Sequence, residues 1–238
     1  MKLRVLEDAA SVAIAAADLL GERLREKPDI VLALPTGRTP VRFYQELQRR
    51  YASGALGLGR TRAFNLDELM IPPSDPRSFR SFMEQHAWQK IGLARERCDI
   101  PNGGAPDLEA ECRRYEQAIA NAGGLDLAIL GVGADGHVAY NMPGPLTLPT
   151  HVVRLPDGLA ASLGIDEAAR PLRAITMGLG TIRAARELLL LATGESKATA
   201  MGALERGQLD PQWPCTYLAP HPALLALVDA AAQPSGIS

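Results

Sequence analysis

Residues 125–144, LDLAILGVGADGHVAYNMPG, join an uninterrupted apolar run to a glycine-rich polar segment. The run at 125–130 has the length and composition of a strand buried in a parallel sheet, and the Gly-x-Gly after it ends the strand. Asp135, His137 and Asn141 would then lie at the carboxyl end of that strand, where open α/β sheets bind ligands. An acid two residues from a histidine can orient the imidazole for proton transfer. The segment therefore predicts an α/β fold with a candidate active site.

Further apolar runs alternate with helical patterns along the rest of the chain. Strands are predicted at 30–34, 62–65, 125–130, 174–177, 188–192 and 224–228. Helices are predicted at 8–26, from Pro40 onward, 82–91, 108–122, 182–186 and 196–205, with a loop at 71–81. This alternation implies right-handed βαβ crossovers. The sequence predicts a single-domain, Rossmann-like α/β fold over residues 1–232, with a doubly wound, mostly parallel sheet, helices on both faces and a frayed tail at 233–238.

The composition is that of an ordinary globular protein. Hydrophobic residues make up 47% of the 238 residues and the formal net charge is −2, which gives no reason to expect nucleic acid or an anionic membrane as a partner. No apolar run reaches the roughly 18 residues of a membrane span and no signal peptide is visible, which predicts a cytoplasmic protein. The three cysteines are widely spaced, so neither a disulfide framework nor a zinc site is expected.

Two further strand ends carry groups suited to an anion. PTGRTP at 35–40 leads into a helix, where free backbone N–H groups, Gly37 and Thr39 suit a phosphate or carboxylate and Arg38 adds a bidentate donor. A plain strand–helix turn explains the same residues equally well. Lys197 in LLLATGESKA lies in a first helical turn, where the helix dipole does not favour a cation. An anion nearby would explain that lysine, and a solvated surface lysine is the alternative.

The fourth strand end is FNLDEL at 64–69, which presents two adjacent carboxylates. A helix cap or an exposed loop pair is the simpler interpretation. In a site that binds a sugar or keto compound, Asp67 could instead be the base for a proton next to a carbonyl. Residue chemistry alone leaves these alternatives open.

Taken together, these segments resemble one family. PTGRTP, FNLDEL, NGGAPDLEAECRRYEQAI at 102–119, GVGADGHVAYNMPG, ITMGLGTI at 175–182 and TGESKA are similar, in this order, to glucosamine-6-phosphate deaminases/isomerases, a superfamily shared with 6-phosphogluconolactonases. The resemblance covers roughly residues 10–230. It implies a Rossmann-like sheet and an aldose–ketose reaction on a hexosamine phosphate that releases ammonia.

The resemblance also assigns roles. Asp67 matches the base that moves the C2 proton to C1, and Asp135 and His137 match the pair that supports ring opening. Gly37, Thr39 and Lys197 match segments that hold the sugar's phosphate, and the full set of candidate binding residues adds Arg38, Gly136 and Asn141. The deaminase branch fits better than the lactonase branch, because FNLDEL lacks the arginine that lactonases carry directly after Asp-Glu. Tyr140-Asn141 is also closer to the Phe-Asn of deaminases.

The sequence departs from the deaminase pattern in three places. Met142 stands where deaminases have a glutamate that completes the ring-opening relay, and losing one member of such a unit can cost orders of magnitude in rate. Leu159 aligns with an arginine that grips the phosphate, with Arg154 and Arg173 as nearby substitutes. Arg38 replaces a common glycine. The segment 145–155 also lacks the basic cluster of deaminases that have an allosteric site.

Three functions remain open at this stage. The favoured one is an isomerase/deaminase acting on an amino-sugar phosphate such as glucosamine 6-phosphate, with Asp67 as base and His137 in ring opening. The second is a lactone hydrolase resembling 6-phosphogluconolactonase, in which His137 activates water and the missing glutamate does not matter. The third is a non-catalytic sugar-phosphate binding protein, which Met142 itself suggests.

The expected partner is a small-molecule sugar phosphate, with no nucleic acid and no membrane. A homo-oligomer is compatible with the resemblance, because relatives often form one. No cofactor is expected, because the first strand is not followed by Gly-x-Gly-x-x-Gly and no metal-ligand cluster is visible. The remaining histidines are scattered and are interpreted as structural or surface residues; they are His86, His151 and His221.

Overall fold

Two sheets organise the chain. The computed structural model describes residues 1–164 and 171–234. In these residues the strands are β1 (Lys2–Leu6), β2 (Val31–Leu34), β3 (Arg62–Asn65), β4 (Asp67–Leu69), β5 (Cys98–Asp99), β6 (Leu127–Gly131), β7 (His151–Arg154), β8 (Arg173–Thr176), β9 (Glu187–Ala192) and β10 (Leu224–Asp229). The larger sheet has the order β1-β10-β9-β6-β2-β3-β5, and all its pairings are parallel. The prediction of a mostly parallel α/β sheet is confirmed.

The central strands are apolar because both faces of the sheet are covered. Successive side chains of a strand point to opposite faces. In β2, Leu32 and Leu34 therefore join one buried cluster while Val31 and Ala33 join the other. Fully burying a side chain such as leucine contributes about 1.5–3 kcal/mol, so these continuous apolar runs anchor the sheet between two hydrophobic layers.

Helices supply the two layers. The helices of the described residues are α1 (Ala9–Glu26), α2 (Thr39–Ala52), α3 (Phe79–His86), α4 (Leu108–Asn121), α5 (Asp157–Ser162), α6 (Leu179–Arg183) and α7 (Ala198–Arg206). Buried residues of α1, α2, α3 and α5 pack into one cluster, and those of α4, α6 and α7 into the other. Helices on both faces are thereby confirmed. Among the described helices, none is long and apolar enough to cross a membrane.

The order of the strands reverses between β2 and β6. From β2 the chain moves outward through β3 to β5, and it then returns to β6 and continues in the opposite direction to β9 and β10. The loops that leave β2 and β6 consequently diverge to opposite faces and open a crevice at the carboxyl ends of the strands. Ligands of open α/β sheets bind at such a switch point.

The smaller sheet differs from the prediction. The strand predicted at 174–177 is β8, which pairs antiparallel with β4 and β7 and not with the parallel sheet. An apolar run shows that a strand is buried but not which strand it pairs with. Four strands were not predicted. They are short, mostly exposed or rich in charged residues, and they are β1, β4, β5 and β7.

The helix boundaries agree with the prediction to within a few residues. The predicted loop at 71–81 is shorter, because α3 begins at Phe79, and the predicted helix 82–91 is divided into α3 and a 3-10 turn at Trp88–Ile91. Of the tail predicted to fray at 233–238, residues 235–238 lie outside the described residues.

Candidate active site

A cavity of about 540 Å³ lies at the switch point of the parallel sheet. Its walls come from the loops that follow β2, β3, β6 and β9 and from the first turn of α2. Six of the residues predicted for the site line this cavity: Gly37, Arg38, Thr39, Asp67, His137 and Lys197. Segments far apart in sequence therefore meet where the sequence predicts that they should.

Asp67 lies at the start of β4 and is buried, with 6% of its surface exposed. Its Oδ1 has no hydrogen-bond partner among the described residues. Burial is the main reason that its pKa is raised to about 8, and the negative charge of Glu68 acts in the same direction. A hydrogen bond with the Thr36 side chain opposes this rise. Asp67 is thus a carboxyl group with a free oxygen at the cavity, which can exchange a proton near neutral pH.

The neighbouring carboxylate has a structural role. The backbone N–H groups of Leu69 and Phe79 both donate to Oε1 of Glu68 at 2.8 Å, and that of Arg80 donates to Oε2 at 2.9 Å. Two of these donors belong to the first turn of α3, whose N–H groups have no partner within the helix. Glu68 therefore caps α3, while Asp67 faces the cavity.

Asp135 and His137 form a hydrogen-bonded pair. Nδ1 of His137 lies 2.6 Å from Oδ1 of Asp135. This hydrogen bond is the main reason that the pKa of Asp135 is lowered, so the carboxylate is ionised and holds the proton of the imidazole on Nδ1. Nε2 is then left to exchange a proton with a bound molecule. A Cβ at Gly133 would collide with both side chains, and glycine is therefore required for the pair to lie this close to the chain.

Two residues predicted to bind substrate hold the loop instead of lining the cavity. Asn141 is buried, and its Nδ2 donates to the carbonyl oxygens of Val138 and Met177, each at 2.9 Å. Gly136 has a φ of 81° and packs so closely against Trp213 that a Cβ would lie 2.9 Å from the indole ring. Asp135 is likewise not a lining residue and reaches the cavity only through His137.

With this geometry established, comparison with known proteins identifies the family. The family model described as glucosamine-6-phosphate isomerases/6-phosphogluconolactonase matches residues 6–226. The chain belongs to this family.

Similar family members are named glucosamine-6-phosphate deaminases. The protein from Bacillus pumilus is 39% identical over 236 residues, which cover 96% of this chain and 97% of the relative. Glucosamine-6-phosphate deaminase 1 of Giardia intestinalis is 40% identical over 226 residues, or 92% of this chain and 85% of that protein.

Solved structures agree with this result. A monomeric glucosamine-6-phosphate deaminase superposes with a TM-score of 0.91 at 35% identity, with 98% of each chain covered. The 6-phosphogluconolactonase of Trypanosoma cruzi superposes with a TM-score of 0.80 at 18% identity, over 97% of this chain and 95% of that chain. The latter likeness concerns the fold alone.

Met142, which is interpreted from the sequence as a departure from the deaminase pattern, lies outside the cavity. Met142 is half-buried, packs against the hydrophobic cluster that contains Leu32, and is not among the residues that line the cavity. Its thioether carries no titratable proton. Among the described residues that line the cavity, the titratable groups beside His137 are instead Asp67, Tyr140 and Lys197, together with two arginines.

Those arginines are Arg38 and Arg42, one turn apart at the start of α2. Neither they nor Lys197 form a salt bridge with any described residue. Desolvation lowers the pKa of Lys197, and the charge of Asp135 partly offsets this effect. The cavity therefore has a cationic region whose three charges form no salt bridge with the described residues, although the charges of Asp8 and Asp135 act on Arg42 and Lys197.

The two substitutes considered for the family's phosphate-gripping arginine lie elsewhere. Arg154 and Arg173 are opposite each other in the pairing of β7 with β8, and both are exposed. Neither is among the lining residues, whereas Leu159 does line the cavity. Arg42 was not predicted as a site residue. Its position four residues after Arg38 on a predicted helix could have indicated that the two arginines face the same site.

Among the described residues, no group of three His, Cys, Asp or Glu side chains could hold a metal ion. His221 is buried, with Nε2 2.9 Å from the carbonyl oxygen of Ala185. His86 packs against the ring of Phe82, with ring centroids 4.6 Å apart, and His151 lies in β7. None of these three histidines lines the cavity.

Proposed function

We propose that this chain is a glucosamine-6-phosphate deaminase, which converts the amino-sugar phosphate and water into fructose 6-phosphate and ammonia. The observation that carries the proposal is a buried carboxyl group with a free oxygen, Asp67, in the same cavity as the Asp135–His137 pair and a cluster of cations. Deaminase names among relatives that are about 39% identical support it.

In this proposal the first step is ring opening at His137. Nε2 takes the proton from the C1 hydroxyl, the bond between C1 and the ring oxygen breaks, and the ring oxygen is protonated. The ionised Asp135 stabilises the imidazolium that forms transiently, through its 2.6 Å hydrogen bond to Nδ1. The product of this step is the open-chain aldehyde with its amino group on C2.

Asp67 then acts on the open chain. As a carboxylate it removes the C2 proton, the C–H electron pair forms the C1–C2 double bond, and the aldehyde oxygen takes a proton from the substrate's ammonium group, which gives an enolamine with a hydroxyl on C1 and an amino group on C2. Return of the proton to C1 gives an iminium group at C2. Water adds to C2 and ammonia leaves, which yields the ketose. A base with a pKa near the working pH suits this two-way transfer.

Arg38, Arg42 and Lys197 hold the phosphate in this proposal. Their side chains line one cavity and form no salt bridge among the described residues, and a helix N-terminus beside Thr39 adds backbone donors for an anion. Arg38 and Arg42 would supply the contacts that the family's other arginine makes where this chain has Leu159.

The test is the substitution Asp67→Asn. Loss of a general base typically costs about 10²–10⁴-fold in rate, so we expect a loss of this size in ammonia release and ketose formation from glucosamine 6-phosphate. Asp18→Asn, an identical change at an exposed position of α1, is the matched control and should retain wild-type turnover. Equal rates for wild type and Asp67→Asn would overturn the proposal.

The same preparations separate the two alternative functions. Lactone hydrolysis needs water activation by His137 but no C2 base, so a lactonase would hydrolyse 6-phosphogluconolactone well above the buffer rate and Asp67→Asn would retain that activity. A binding protein would be stabilised by sugar phosphates without turning over either substrate. The observation that keeps the lactonase in view is that Met142, which carries no titratable proton, packs into the hydrophobic cluster close in sequence to the Asp135–His137 pair.

A further inference from the structure

Tyr140 presents a rigid phenol to the cavity. Its ring lines the cavity and stacks on Phe79, with ring centroids 5.8 Å apart and an interplanar angle of 29°. The imidazole of His137 also lies near this ring, with the centroids 6.4 Å apart. The backbone N–H of Tyr140 donates to Oγ1 of Thr176 at 2.9 Å, and this hydrogen bond connects the loop to the smaller sheet. Few rotations of the ring are therefore open to Tyr140.

The backbone before Tyr140 is strained. Ala139 has a φ of 52°, a left-handed conformation that costs energy for a residue with a side chain. Such strain persists only where the surroundings hold it, and it concentrates at binding and catalytic sites. Ala139 lies between His137 and Tyr140 in the sequence, and with this backbone conformation both of their side chains line the cavity.

The hydroxyl group of Tyr140 forms no hydrogen bond with any described residue, unlike the hydroxyls of the two tyrosines that are fully buried. The hydroxyl of Tyr44 donates to the carbonyl oxygen of Pro35 at 2.7 Å, and that of Tyr115 donates to the carbonyl oxygen of Asn65 at 2.6 Å. A buried phenol normally has such a partner. Because Tyr140 lines the cavity and its hydroxyl is not among the fully buried polar atoms, a molecule bound in the cavity can accept a hydrogen bond from it.

The hydroxyl is also fixed in its neutral form. Burial raises the pKa of Tyr140 far above its usual range, and the negative charges of Asp67 and Glu68 raise it further. A phenol of this kind does not act as a base and cannot shuttle protons in place of a carboxylate. Near neutral pH it therefore remains a hydrogen-bond donor.

We propose that the Tyr140 hydroxyl donates a hydrogen bond to the substrate oxygen on which negative charge develops when Asp67 removes the neighbouring proton. This inference rests on the proposed function and adds a catalytic residue to it. As the C2–H electron pair forms the C1–C2 double bond, the π electrons of the aldehyde move to its oxygen. A neutral donor already in place stabilises this charge without transferring its own proton.

The amino group of the substrate is a less suitable partner. When it is protonated it has no lone pair to accept a hydrogen bond, whereas a carbonyl oxygen accepts one and accepts it more strongly as it becomes negative. The charges at Arg38, Arg42 and Lys197 suit the phosphate. The aldehyde oxygen is therefore the group for which a neutral donor beside Asp67 is suited.

The test is Tyr140→Phe, which removes only the hydroxyl group and keeps the ring against Phe79. One donor to a developing oxyanion is worth about 10²–10³-fold in kcat, so kcat for glucosamine 6-phosphate should fall by at least tenfold while KM stays within about threefold. The melting temperature should not fall, because no hydrogen bond within the described residues is lost. A kcat within twofold of wild type, or an effect on KM alone, would overturn the inference.

Tyr115→Phe is the matched control, because it deletes a hydroxyl that does have a protein partner, outside the cavity. It should lower the melting temperature and change kcat by less than twofold. The two variants therefore have opposite expected effects. Tyr140→Phe lowers kcat and leaves the melting temperature unchanged, whereas Tyr115→Phe lowers the melting temperature and leaves kcat unchanged. A purely structural role for Tyr140 would give the second pattern in both.

Binding measurements separate this inference from the proposed function. Glucosaminate 6-phosphate places negative oxygens at C1, whereas glucosaminitol 6-phosphate places a neutral hydroxyl there. Tyr140→Phe should weaken binding of the first by at least tenfold and of the second by less than threefold. Absence of wild-type turnover removes the proposed function. An equal effect on both ligands, or no binding of either by the wild type, removes the role of Tyr140.

Discussion

Burial favours the neutral form of the Asp67 carboxyl group, whereas the proposed reaction needs its ionised form. Its pKa is raised from 3.8 to about 8, so between these values the folded chain holds a proton that the unfolded chain releases. Stability from this group is therefore lost as pH rises through that window. The ionised form that the proposed reaction needs is the form that folding disfavours, which is typical of residues kept for function.

The raised pKa of Asp67 predicts the pH dependence of the proposed reaction. The base must be ionised, so kcat/KM should rise nearly tenfold per pH unit below about 8 and level off above that value. An ordinary aspartate would give a flat profile from pH 6 upward. The measurement is ammonia release at low substrate concentration from pH 6 to 9, and a flat profile over this range would contradict the assignment.

At the scale of single residues, the sequence indicates which residues lie near the candidate site better than it indicates where their side chains point. Asp67, His137 and Lys197 follow apolar runs and were assigned to the site by the resemblance to the family, and all three line one cavity. Tyr140 was not predicted as a site residue, because its direction depends on the left-handed backbone at Ala139. No local pattern marks an alanine for that conformation.

At the scale of secondary-structure elements, α3 depends on a carboxylate that precedes it by eleven residues. Glu68 accepts hydrogen bonds from Phe79 and Arg80, and Ser78 caps the same helix through Ser81. Phe79 in turn forms part of the cavity wall and stacks on Tyr140. The cap therefore also positions part of the candidate site.

Glu68→Gln tests this coupling between the cap and the cavity. The amide nitrogen of glutamine would face at least one backbone N–H group that now donates to a carboxylate oxygen of Glu68. A buried hydrogen-bonding group without its partner costs about 1–3 kcal/mol. We expect the melting temperature to fall by about 2–10 °C. Glu84→Gln, the same change at an exposed position of α3, should have no measurable effect. Equal melting temperatures for the two variants would show that the cap is dispensable.

The small sheet shows why some elements could not be predicted. Asp67–Leu69 begins with two carboxylates, which are uncommon in strands, and it becomes β4 because β8 lies beside it. The pairing is determined by tertiary contacts between residues more than a hundred positions apart. Hydrophobic periodicity within a window of the sequence carries no information about such a partner.

At the scale of the whole molecule, the α/β architecture followed from the alternation of apolar runs and helical patterns, because helices on both faces leave few alternatives to a parallel sheet. The same architecture predicts the location of the candidate site, because ligands of such sheets bind where the strand order reverses. The cationic region of this cavity predicts that a bound phosphate ester raises the melting temperature of the whole domain.

Glucosamine 6-phosphate should stabilise the domain when it fills the cavity. At 100 times Kd, binding contributes about 2.7 kcal/mol, or about 5–10 °C in melting temperature for a domain of this size. Lys197→Ala should reduce the shift to a few degrees, and Lys90→Ala, which removes an exposed lysine outside the cavity, should not. Glucosamine without phosphate should give almost no shift. Equal shifts for both sugars would place the phosphate outside the cationic region.

The cavity walls come from segments at both ends of the sequence, from the loop after β2 to the loop after β9. The latter is anchored by β10, because Asp229 accepts a hydrogen bond from the backbone N–H of Gly194. Contacts between such distant segments form late and slowly in folding. During refolding, helical circular dichroism should recover before turnover does, so regained enzyme activity reports completed assembly of the sheet.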